Sequence, residues 1–524
     1  MAAVAAPITS DMSSRADKVA KNMRTAIVCQ ILMVLVNFVL RRVFVVTLGK
    51  EYLGLNGLFA DILAMLSLAE LGFGVSIIYS LYRPVAEGDT VKVRSLMRLY
   101  RNIYRVVGAF VFVAGLAITP WLDFFVREMP DIPESIRLIY ILNVVNASIS
   151  YFFIYKASLL FADQKKYVEL VITTGVKFAA AVAEISILLI WRDYIAYLAA
   201  VIAGTILQNL LISRRVDRLY PYLRESDVQS LPDEDRNLIR KNVGAMVFHK
   251  LGSVVIFSTD SILMAKFVSV AAVGLYSNYM LIRKALSSVI EPAFTGITSG
   301  LGNLNVSEDD DHKYRSFCNV LFFAAWAFGL CSICLLNLFN PFISLWLGDE
   351  YTFGPVLVFL IVISFYLYAM RMPVGSARDA MGLFLKDKYK PIPECILNLG
   401  LSILWARQLG EFYGPEGGIA GVVLGTIAST ILVPFWVEPF VVYKYGFNRS
   451  VWPYMGRYAL YTGITAAACA ACMWLCSLLP GGIGGLVLRA LVCLTVPNAI
   501  FLLCYHRTGE FGYLRSYLMS RLRR

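Results

Sequence analysis

Charged side chains occur inside long apolar runs near the start of this chain. Arg41 and Arg42 lie within the run 26–48, and Asp61 and Glu70 lie within the next apolar run. Each run is long enough to cross the roughly 30 Å of bilayer hydrocarbon as an α-helix. A charge at that depth costs at least about 2.5 kcal/mol, so such residues face protein or a water-filled cavity. The pattern indicates a polar path through a membrane.

Further charged residues fall in apolar runs of the second half. Basic side chains that share a cavity would hold an anion, because guanidinium groups make bidentate contacts with phosphate. The candidates for contact with an anionic headgroup are Arg41, Arg42, Lys250, Arg283, Lys284 and Arg371. The acidic candidates for a gate, or for coupling to a sodium or proton gradient, are Asp61, Glu70, Asp260 and Glu291. The alternative for each residue is an internal salt bridge that fixes helix packing.

The sequence lacks the motifs of common enzymes. It has no GxSxG, P-loop or HExxH pattern, and it contains only three histidines. The ten cysteines lie almost entirely in apolar runs, where pairs such as Cys331 with Cys334 suit helix packing better than metal binding. We therefore predict a protein that is not an enzyme, with no catalytic residue, metal site or cofactor.

The composition identifies the class of protein. Of the 524 residues, 58% are hydrophobic and 16% are charged, with a mean hydropathy of +0.66. Soluble chains carry about 25% charged residues, so this composition predicts an all-α polytopic membrane protein. Apolar runs of about 20 residues predict fourteen transmembrane helices. They begin near Ala26, Gly57, Ile103, Ile136, Val168, Tyr194, Val243, Ala271, Phe317, Pro355, Pro391, Gly418, Met455 and Ile483.

Basic residues are distributed unevenly between the two ends of these helices. If the N-terminus is cytoplasmic, the inside loops hold most of the lysines and arginines, while the outside loops hold only Lys50, Arg127 and Arg192. The positive-inside rule then places both termini in the cytoplasm. The start of the chain has no signal-peptide pattern. The net charge of +12 is explained by this topology, so no nucleic-acid partner is expected.

The two halves of the chain repeat each other. The dipeptide Lys21–Asn22 recurs as 241–242, and Gly54–Leu55 recurs as 274–275, which is the same shift of 220 residues. Two later landmarks recur at shifts of 221 and 222. Because each half holds an even number of helices, the second half re-enters the membrane in the same orientation as the first. The sequence predicts two parallel six-helix lobes, with the substrate site between them.

This repeat relates charges of the two lobes. After subtraction of 220, Asp260 maps to position 40, beside Arg41, and Glu70 maps to position 290, beside Glu291. We expect a contact between Asp260 and Arg41 to close the outer end of the cavity when the lobes approach.

Polar segments divide the chain into predicted regions. The linker is rich in charges of both signs, and the C-terminal segment has basic residues on an amphipathic helix suited to the cytoplasmic lipid surface. The regions are a cytoplasmic tail (1–25), an N-lobe (26–213), a cytoplasmic linker (214–242), a C-lobe (243–445), helices 13 and 14 (455–505) and the basic tail (507–524).

Two segments resemble a known family. The segment from Glu51 to Pro84, EYLGLNGLFADILAMLSLAELGFGVSIIYSLYRP, and that from Tyr155 to Tyr167, YKASLLFADQKKY, resemble Wzx-type polysaccharide flippases, in the polysaccharide transporter branch of the MOP exporter superfamily. The resemblance is strong over the N-terminal half and looser after about Asn242. It implies two six-helix lobes that form a V around a cationic cavity. It also implies a role for helices 13 and 14, which form a groove for the lipid tail in related lipid II flippases.

The implied function is export of undecaprenyl-pyrophosphate-linked oligosaccharide across the bacterial plasma membrane, by alternating access, for surface polysaccharide biosynthesis such as that of capsule, O-antigen or exopolysaccharide. Expected partners are the lipid-linked oligosaccharide, membrane lipids, a polysaccharide polymerase and glycosyltransferases.

Three alternatives have other consequences. A MATE-type multidrug antiporter should favour an acidic cavity, which the intramembrane arginines argue against. A lipid II flippase is separated from oligosaccharide export only by the resemblance. A membrane enzyme that uses the same lipid-linked donor needs substantial outside loops, and the outside loops here are short.

Overall fold

The structure, a computed structural model, describes residues 8–67, 73–225, 231–232, 259–307, 310–383 and 386–522. The chain divides into two compact units, unit 1 (Met1–Ser258) and unit 2 (Thr259–Arg524). Both units are built from α-helices, and the described ranges contain no β-strand. The predicted all-α fold is confirmed.

Unit 1 begins with two long helices separated by one residue. Helix α1 spans Ile8–Leu48, and α2 spans Lys50–Leu66. Gly49 between them has a φ of 91° and a ψ of −175°, a conformation that glycine adopts without steric cost. The other helices are α3 (Phe73–Glu87), α4 (Thr90–Ile118), α5 (Leu122–Phe125), α6 (Ile136–Ala162), α7 (Lys166–Ile190) and α8 (Tyr194–Leu219).

Helix α4 is longer than predicted. It begins at Thr90, 13 residues before the expected start near Ile103. The Asp89 side chain caps it by accepting a hydrogen bond of 2.9 Å from the backbone N–H of Lys92. A search for apolar runs finds only the part of a helix that lies in lipid, and therefore missed this charged extension.

The extension of α4 is fixed by a buried core. Tyr100 and Tyr104 of α4 are almost fully buried in a cluster that includes Leu159 and Val216 from α6 and α8. Nearby, the Tyr220 hydroxyl donates a hydrogen bond of 2.6 Å to the Asp163 carboxylate. Burial, together with the Asp163 carboxylate, raises the pKa of Tyr220 above its ordinary value, so this hydroxyl stays a donor.

Unit 2 contains the remaining helices. Residues 259–267 are helical, and the predicted start of this helix near Val243 lies outside the described residues. The later helices are α9 (Val270–Ser307), α10 (Asp310–Trp346), α11 (Pro355–Ala380), α12 (Pro391–Leu432), α13 (Pro434–Val441), α14 (Trp452–Ser477), α15 (Gly482–Tyr505) and α16 (Gly509–Leu522).

Helix α12 is a hairpin of two helices. Gly414, with a φ of 69°, breaks it near its middle. A Cβ added to Gly417, Gly421 or Gly425 would lie 2.1 to 2.3 Å from atoms of residues 409, 405 and 402 respectively, so the two backbones are in close antiparallel contact. These halves are the predicted helices 11 and 12.

Helix starts reproduce the predicted repeat. Helices α2 and α9 begin at Lys50 and Val270, and α4 and α10 begin at Thr90 and Asp310. Both pairs differ by 220 residues, the shift found in the dipeptides. Residues of the two units can therefore be compared position by position over these helices.

The C-terminal helices pack on unit 2. Trp326 of α10 lies 5.5 Å from the Phe501 ring of α15 and stacks at 5.9 Å on Phe511 of α16. Glu510 of α16 pairs with Arg457 of α14 at 3.6 Å. The start of the basic tail thus packs against protein, whereas the sequence predicted that it lies on lipid.

Ten described stretches are long and apolar enough to cross a membrane, as expected of a multi-pass membrane protein. The predicted number was fourteen. Predicted helices 2, 7 and 8 are missing from the ten because they carry charges or include residues outside the described ranges. Helices 11 and 12 count as one stretch, Pro391–Gly446, although Gly414 divides them.

Candidate functional site

An oxygen-rich cluster lies inside unit 2. The Thr426 hydroxyl is 3.3 Å from Oδ1 of Asp260 and 3.4 Å from the Val422 carbonyl oxygen, and it has one proton to donate to the two. The Asn398 amide donates to the Thr426 hydroxyl at 3.0 Å, and the Ser402 hydroxyl donates to the Val422 carbonyl at 3.2 Å. Five residues therefore bring a carboxylate, two hydroxyls, an amide and a carbonyl together.

The helix hairpin of α12 positions this cluster. Asn398 and Ser402 are buried one turn apart on its first half, and Val422 and Thr426 are one turn apart on its second half. Gly425 lets the second half approach Ser402 closely. Oxygen ligands of these kinds suit hard cations, and a single carboxylate balances one positive charge. The arrangement can therefore hold a monovalent cation or a proton.

The predicted headgroup residue Arg371 is bound by carboxylates. Its Nη2 and Nε lie 2.8 and 3.1 Å from the two carboxylate oxygens of Glu438, and its Nη1 lies 3.2 Å from Glu394. Lys390 also pairs with both glutamates. Two basic and two acidic groups thus balance each other; they lie on α11, α12 and α13 and at Lys390, directly before α12. These contacts match the alternative interpretation of Arg371 as a packing salt bridge.

Two other predicted basic residues have different surroundings. The Arg283 guanidinium on α9 lies 5.9 Å from the Phe365 ring centre and 5.5 Å from that of Tyr368. Its Nη1 is 3.9 Å from the Met280 sulfur. Lys284 is exposed. Within the described part of unit 2, neither Arg283 nor Lys284 has a carboxylate at ion-pair distance.

The candidates in unit 1 differ in exposure. Arg41 and Asp61 are partly buried, and Arg42 is exposed. The adjacent arginines therefore occupy different environments, as expected from the 100° rotation between neighbouring helical residues. The contact between Arg41 and Asp260 remains a prediction. Three candidates, Glu70, Lys250 and the side chain of Glu291, lie outside the described residues.

Solved structures share this fold. A structure of the lipid II flippase MurJ aligns with a TM-score of 0.60 and 11% identity, over 93% of this chain and 98% of that chain. An inward-facing multidrug resistance MATE family transporter of the MOP superfamily aligns with a TM-score of 0.57 and 16% identity, over 79% of this chain and 94% of that chain. A mutant of the Vibrio cholerae MATE transporter VcmN aligns with a TM-score of 0.56 and 15% identity, over 84% of this chain and 99% of that chain.

The fold is that of MOP-superfamily transporters. No family model and no curated protein matches the sequence. The MOP-like fold predicted from the repeat and the resemblance is thus confirmed.

Sequence reasoning found one member of the polar cluster and missed the others. Asp260 was recognised because a charge inside an apolar run is conspicuous. Asn398, Ser402 and Thr426 are neutral and common in membrane helices, so they gave no such signal. The usable signal was the spacing of Gly417, Gly421 and Gly425, since small residues every four positions indicate close helix packing.

Proposed function

We propose that this chain is a flippase that moves undecaprenyl-pyrophosphate-linked oligosaccharide from the cytoplasmic to the outer face of the bacterial plasma membrane. The proposal is supported by the positive charges of Arg283 and Lys284 on α9, which have no carboxylate at ion-pair distance within the described part of unit 2. A guanidinium outside an ion pair is available for bidentate contact with a pyrophosphate. Arg371, in contrast, is already neutralised by Glu394 and Glu438.

The physical task is to carry a polar head past hydrocarbon. The isoprenoid tail can stay in lipid, while the pyrophosphoryl sugar needs a polar path. Rocking of the two repeats would expose that path to each face in turn, without covalent chemistry. With the cell interior negative, outward movement of an anion is favoured by about 2.3 kcal/mol per charge per 100 mV.

The MOP fold also suits a multidrug antiporter or a lipid II flippase. Arg283 and Lys284 favour an anionic cargo over a cationic drug, because they would repel a cation. The resemblance of the segments Glu51–Pro84 and Tyr155–Tyr167 to Wzx-type flippases favours an oligosaccharide over lipid II. The proposal includes cytoplasmic termini and partners that make and polymerise surface polysaccharide.

Transport in proteoliposomes tests this function. The purified chain is reconstituted with undecaprenyl-pyrophosphate oligosaccharide in one leaflet, and an impermeant sugar-cleaving enzyme reports arrival in the other. We expect transport by the unmodified chain, and a loss of at least about tenfold when Arg283→Gln and Lys284→Gln are combined.

Arg407→Gln is the matched control, since Arg407 also lies over a ring, that of Phe267 at 4.9 Å, and is exposed. Its transport should stay within about twofold of the unmodified chain. Full activity of the double variant, or export of a cationic dye in place of the lipid-linked sugar, would contradict the proposal.

We further propose that the cluster around Asp260 couples transport to a sodium or proton gradient. Asp260, Thr426, Asn398 and the Val422 carbonyl would hold the cation. Replacing Thr426 with Val keeps its shape and removes one oxygen, while Asp260→Asn removes the charge. Both variants should lose the dependence of the transport rate on the gradient. A transport rate of the unmodified chain that is independent of both the sodium gradient and the pH gradient would exclude this coupling.

A further inference from the structure

Four arginines follow one side of α4 in unit 1. Arg94, Arg98, Arg101 and Arg105 are spaced by four, three and four residues, which places them along one face of the helix. At 1.5 Å per residue this arginine stripe is about 16 Å long. It runs along the charged extension of α4 and ends at Arg105, two residues past the predicted start of the apolar run near Ile103.

Among the described residues, a counter-charge is found for only one arginine of the stripe. Arg94 pairs with Glu225, and Lys156 on the neighbouring α6 pairs with Asp217 at 2.7 Å. In the part of the chain that the structure describes, no carboxylate lies at ion-pair distance from the other three stripe arginines. The Nε atoms of Arg94 and Arg101 are also shielded from solvent without a hydrogen-bond partner there. Buried donors of this kind usually have a partner.

The apolar part of the same helix is also uncovered. Val106, Phe110 and Val113 are 70%, 52% and 65% exposed. We call these three residues the apolar strip. The exposed side of α4 is wide. From Arg94 it carries arginines along one edge, and further along the helix it carries large apolar side chains that point about 100° around the helix from the stripe. That order matches the headgroup and the hydrocarbon tail of a lipid.

In unit 2 the equivalent face of α10 is covered. The residues 220 positions after Arg98, Arg101 and Arg105 are Cys318, Leu321 and Ala325, which belong to the core shared with α14 and α15. The counterparts of the apolar strip are Trp326, Leu330 and Ile333, which belong to that core or pack against it. Where helices cover this face, it carries no arginine; where the face is open, it carries the stripe.

We propose that the open face of α4 is a docking site for a lipid with a pyrophosphate headgroup and an isoprenoid tail. The pyrophosphate contacts Arg98, Arg101 and Arg105, and the tail follows the apolar strip. This inference rests on the proposed function, because the same substrate would bind to this site on unit 1 before it is transported.

The charge of the stripe distinguishes this occupant from others. Three arginines on successive turns, with no carboxylate at ion-pair distance in the described ranges, suit a headgroup with two phosphoryl groups better than a phosphodiester with one charge. A covering protein helix is disfavoured because the helices that cover α10 face small and apolar residues there. Such a helix would need several carboxylates to neutralise the stripe.

Photocrosslinking tests the site. The full chain is placed in nanodiscs of neutral phosphatidylcholine and titrated with a photoreactive C20 prenyl pyrophosphate, and the crosslinked peptide is identified. We expect crosslinks on α4. Combining Arg98→Gln, Arg101→Gln and Arg105→Gln should lower the apparent affinity about tenfold or more. The double variant Arg98→Gln, Arg105→Gln should lower the apparent affinity less. Because it keeps the half-buried Arg101, a loss of affinity in this variant is not explained by a folding defect at Arg101.

The matched control removes the same charge from the same end of unit 1. Arg214, Arg215 and Arg218 are exposed on α8, and their triple Gln variant should change the affinity less than twofold. An equal loss in this control, or crosslinks outside α4, would overturn the site. Equal competition by phosphatidylglycerol would overturn the choice of a pyrophosphate lipid. A second result would also overturn this choice: a membrane protein binds the unmodified chain, its binding is lost in the triple Arg98, Arg101 and Arg105 variant, and lipid crosslinking persists in that variant.

Failure of this inference differs from failure of the proposed function. If the stripe variant binds and transports normally, the docking site is wrong and the flippase proposal stands. If the unmodified chain transports no lipid-linked sugar, yet crosslinks prenyl pyrophosphate on α4, the flippase proposal is wrong and the lipid site stands.

Discussion

Helices α4 and α10 occupy equivalent places in the two units, but their outer faces differ in chemistry. On α10 the face carries Trp326, Gly329 and other apolar or small residues, and α14 and α15 pack on it. On α4 the same face is open and carries the arginine stripe and the apolar strip. Unit 2 thus covers this face with its C-terminal helices, whereas the same face of unit 1 is exposed.

Buried charges show a similar contrast. Arg371 contacts two glutamates, whereas Arg283 contacts aromatic rings and a methionine. Both are arginines inside membrane-length helices, and sequence position alone did not separate them. Their partners decide which charge is already satisfied and which one can attract an anion.

The largest effect is expected from the buried ion pairs. Glu438→Gln leaves Arg371 and Lys390 with Glu394 as their remaining acidic partner, so the buried network gains a net positive charge. We expect the free energy of unfolding to fall by about 3 kcal/mol. Arg283→Gln is the comparison, with a loss below about 1 kcal/mol because only contacts with two rings and the Met280 sulfur are removed. Unfolding in mixed detergent micelles measures both, and similar losses would contradict the contrast.

Shortening Trp326 tests the covered face. Trp326→Ala removes its contacts with Phe501 and Phe511 and leaves a cavity, so we expect a loss of about 3 kcal/mol in the free energy of unfolding. The position 220 residues earlier is the exposed Val106, and Val106→Ala should change stability by less than about 0.5 kcal/mol. The same unfolding experiment compares them. Equal effects would mean that the two faces are covered alike.

Adding bulk gives a smaller effect of the same kind. A Cβ on Gly329 would lie 2.9 Å from the Thr465 hydroxyl oxygen, so Gly329→Leu should push α14 away and cost about 1 to 3 kcal/mol. The counterpart Ala109 is exposed, and Ala109→Leu should be tolerated. Thermal unfolding followed by size-exclusion chromatography reports the difference. A destabilised Ala109→Leu variant would show that α4 has a protein neighbour.

The smallest effect is expected at the polar end of the covered face. Arg457 contacts Cys318 and pairs with Glu510 at 3.6 Å. Cys318 is buried and Glu510 is partly buried. Arg457→Gln should cost about 1 kcal/mol and loosen α16, whereas Arg98→Gln at the counterpart of Cys318 should cost less than about 0.5 kcal/mol. Proteolysis of the C-terminal helix is the readout. Identical cleavage in both variants and the unmodified chain would argue against a docked tail.

Much of the fold could be predicted because bilayer physics is strict. Apolar runs of fixed length and a constant shift of 220 residues were enough to find most helices and the two halves. The charged extension of α4 was missed because helices outside lipid need no apolar run. The break at Gly414 agrees with the prediction, since it lies four residues before the predicted helix start near Gly418.

The sites were harder to predict than the helices. Asp260 stood out as a charge in an apolar run, but Thr426 and Asn398 become visible only when the hairpin of α12 brings them together. Arg371 looked equivalent to Arg283 because Glu394 and Glu438 are 23 and 67 residues away in the chain. Contacts over such separations depend on tertiary packing.

The pool of undecaprenyl-pyrophosphate-linked sugars in cells that lack this protein tests the account most directly, with the membrane face assigned by an impermeant probe. We predict that the lipid-linked oligosaccharide accumulates on the cytoplasmic face, that surface polysaccharide is lost, and that the unmodified chain restores both while the Arg283→Gln, Lys284→Gln variant does not. A normal pool and normal surface polysaccharide, together with increased sensitivity to cationic drugs, would contradict the account and indicate a drug antiporter.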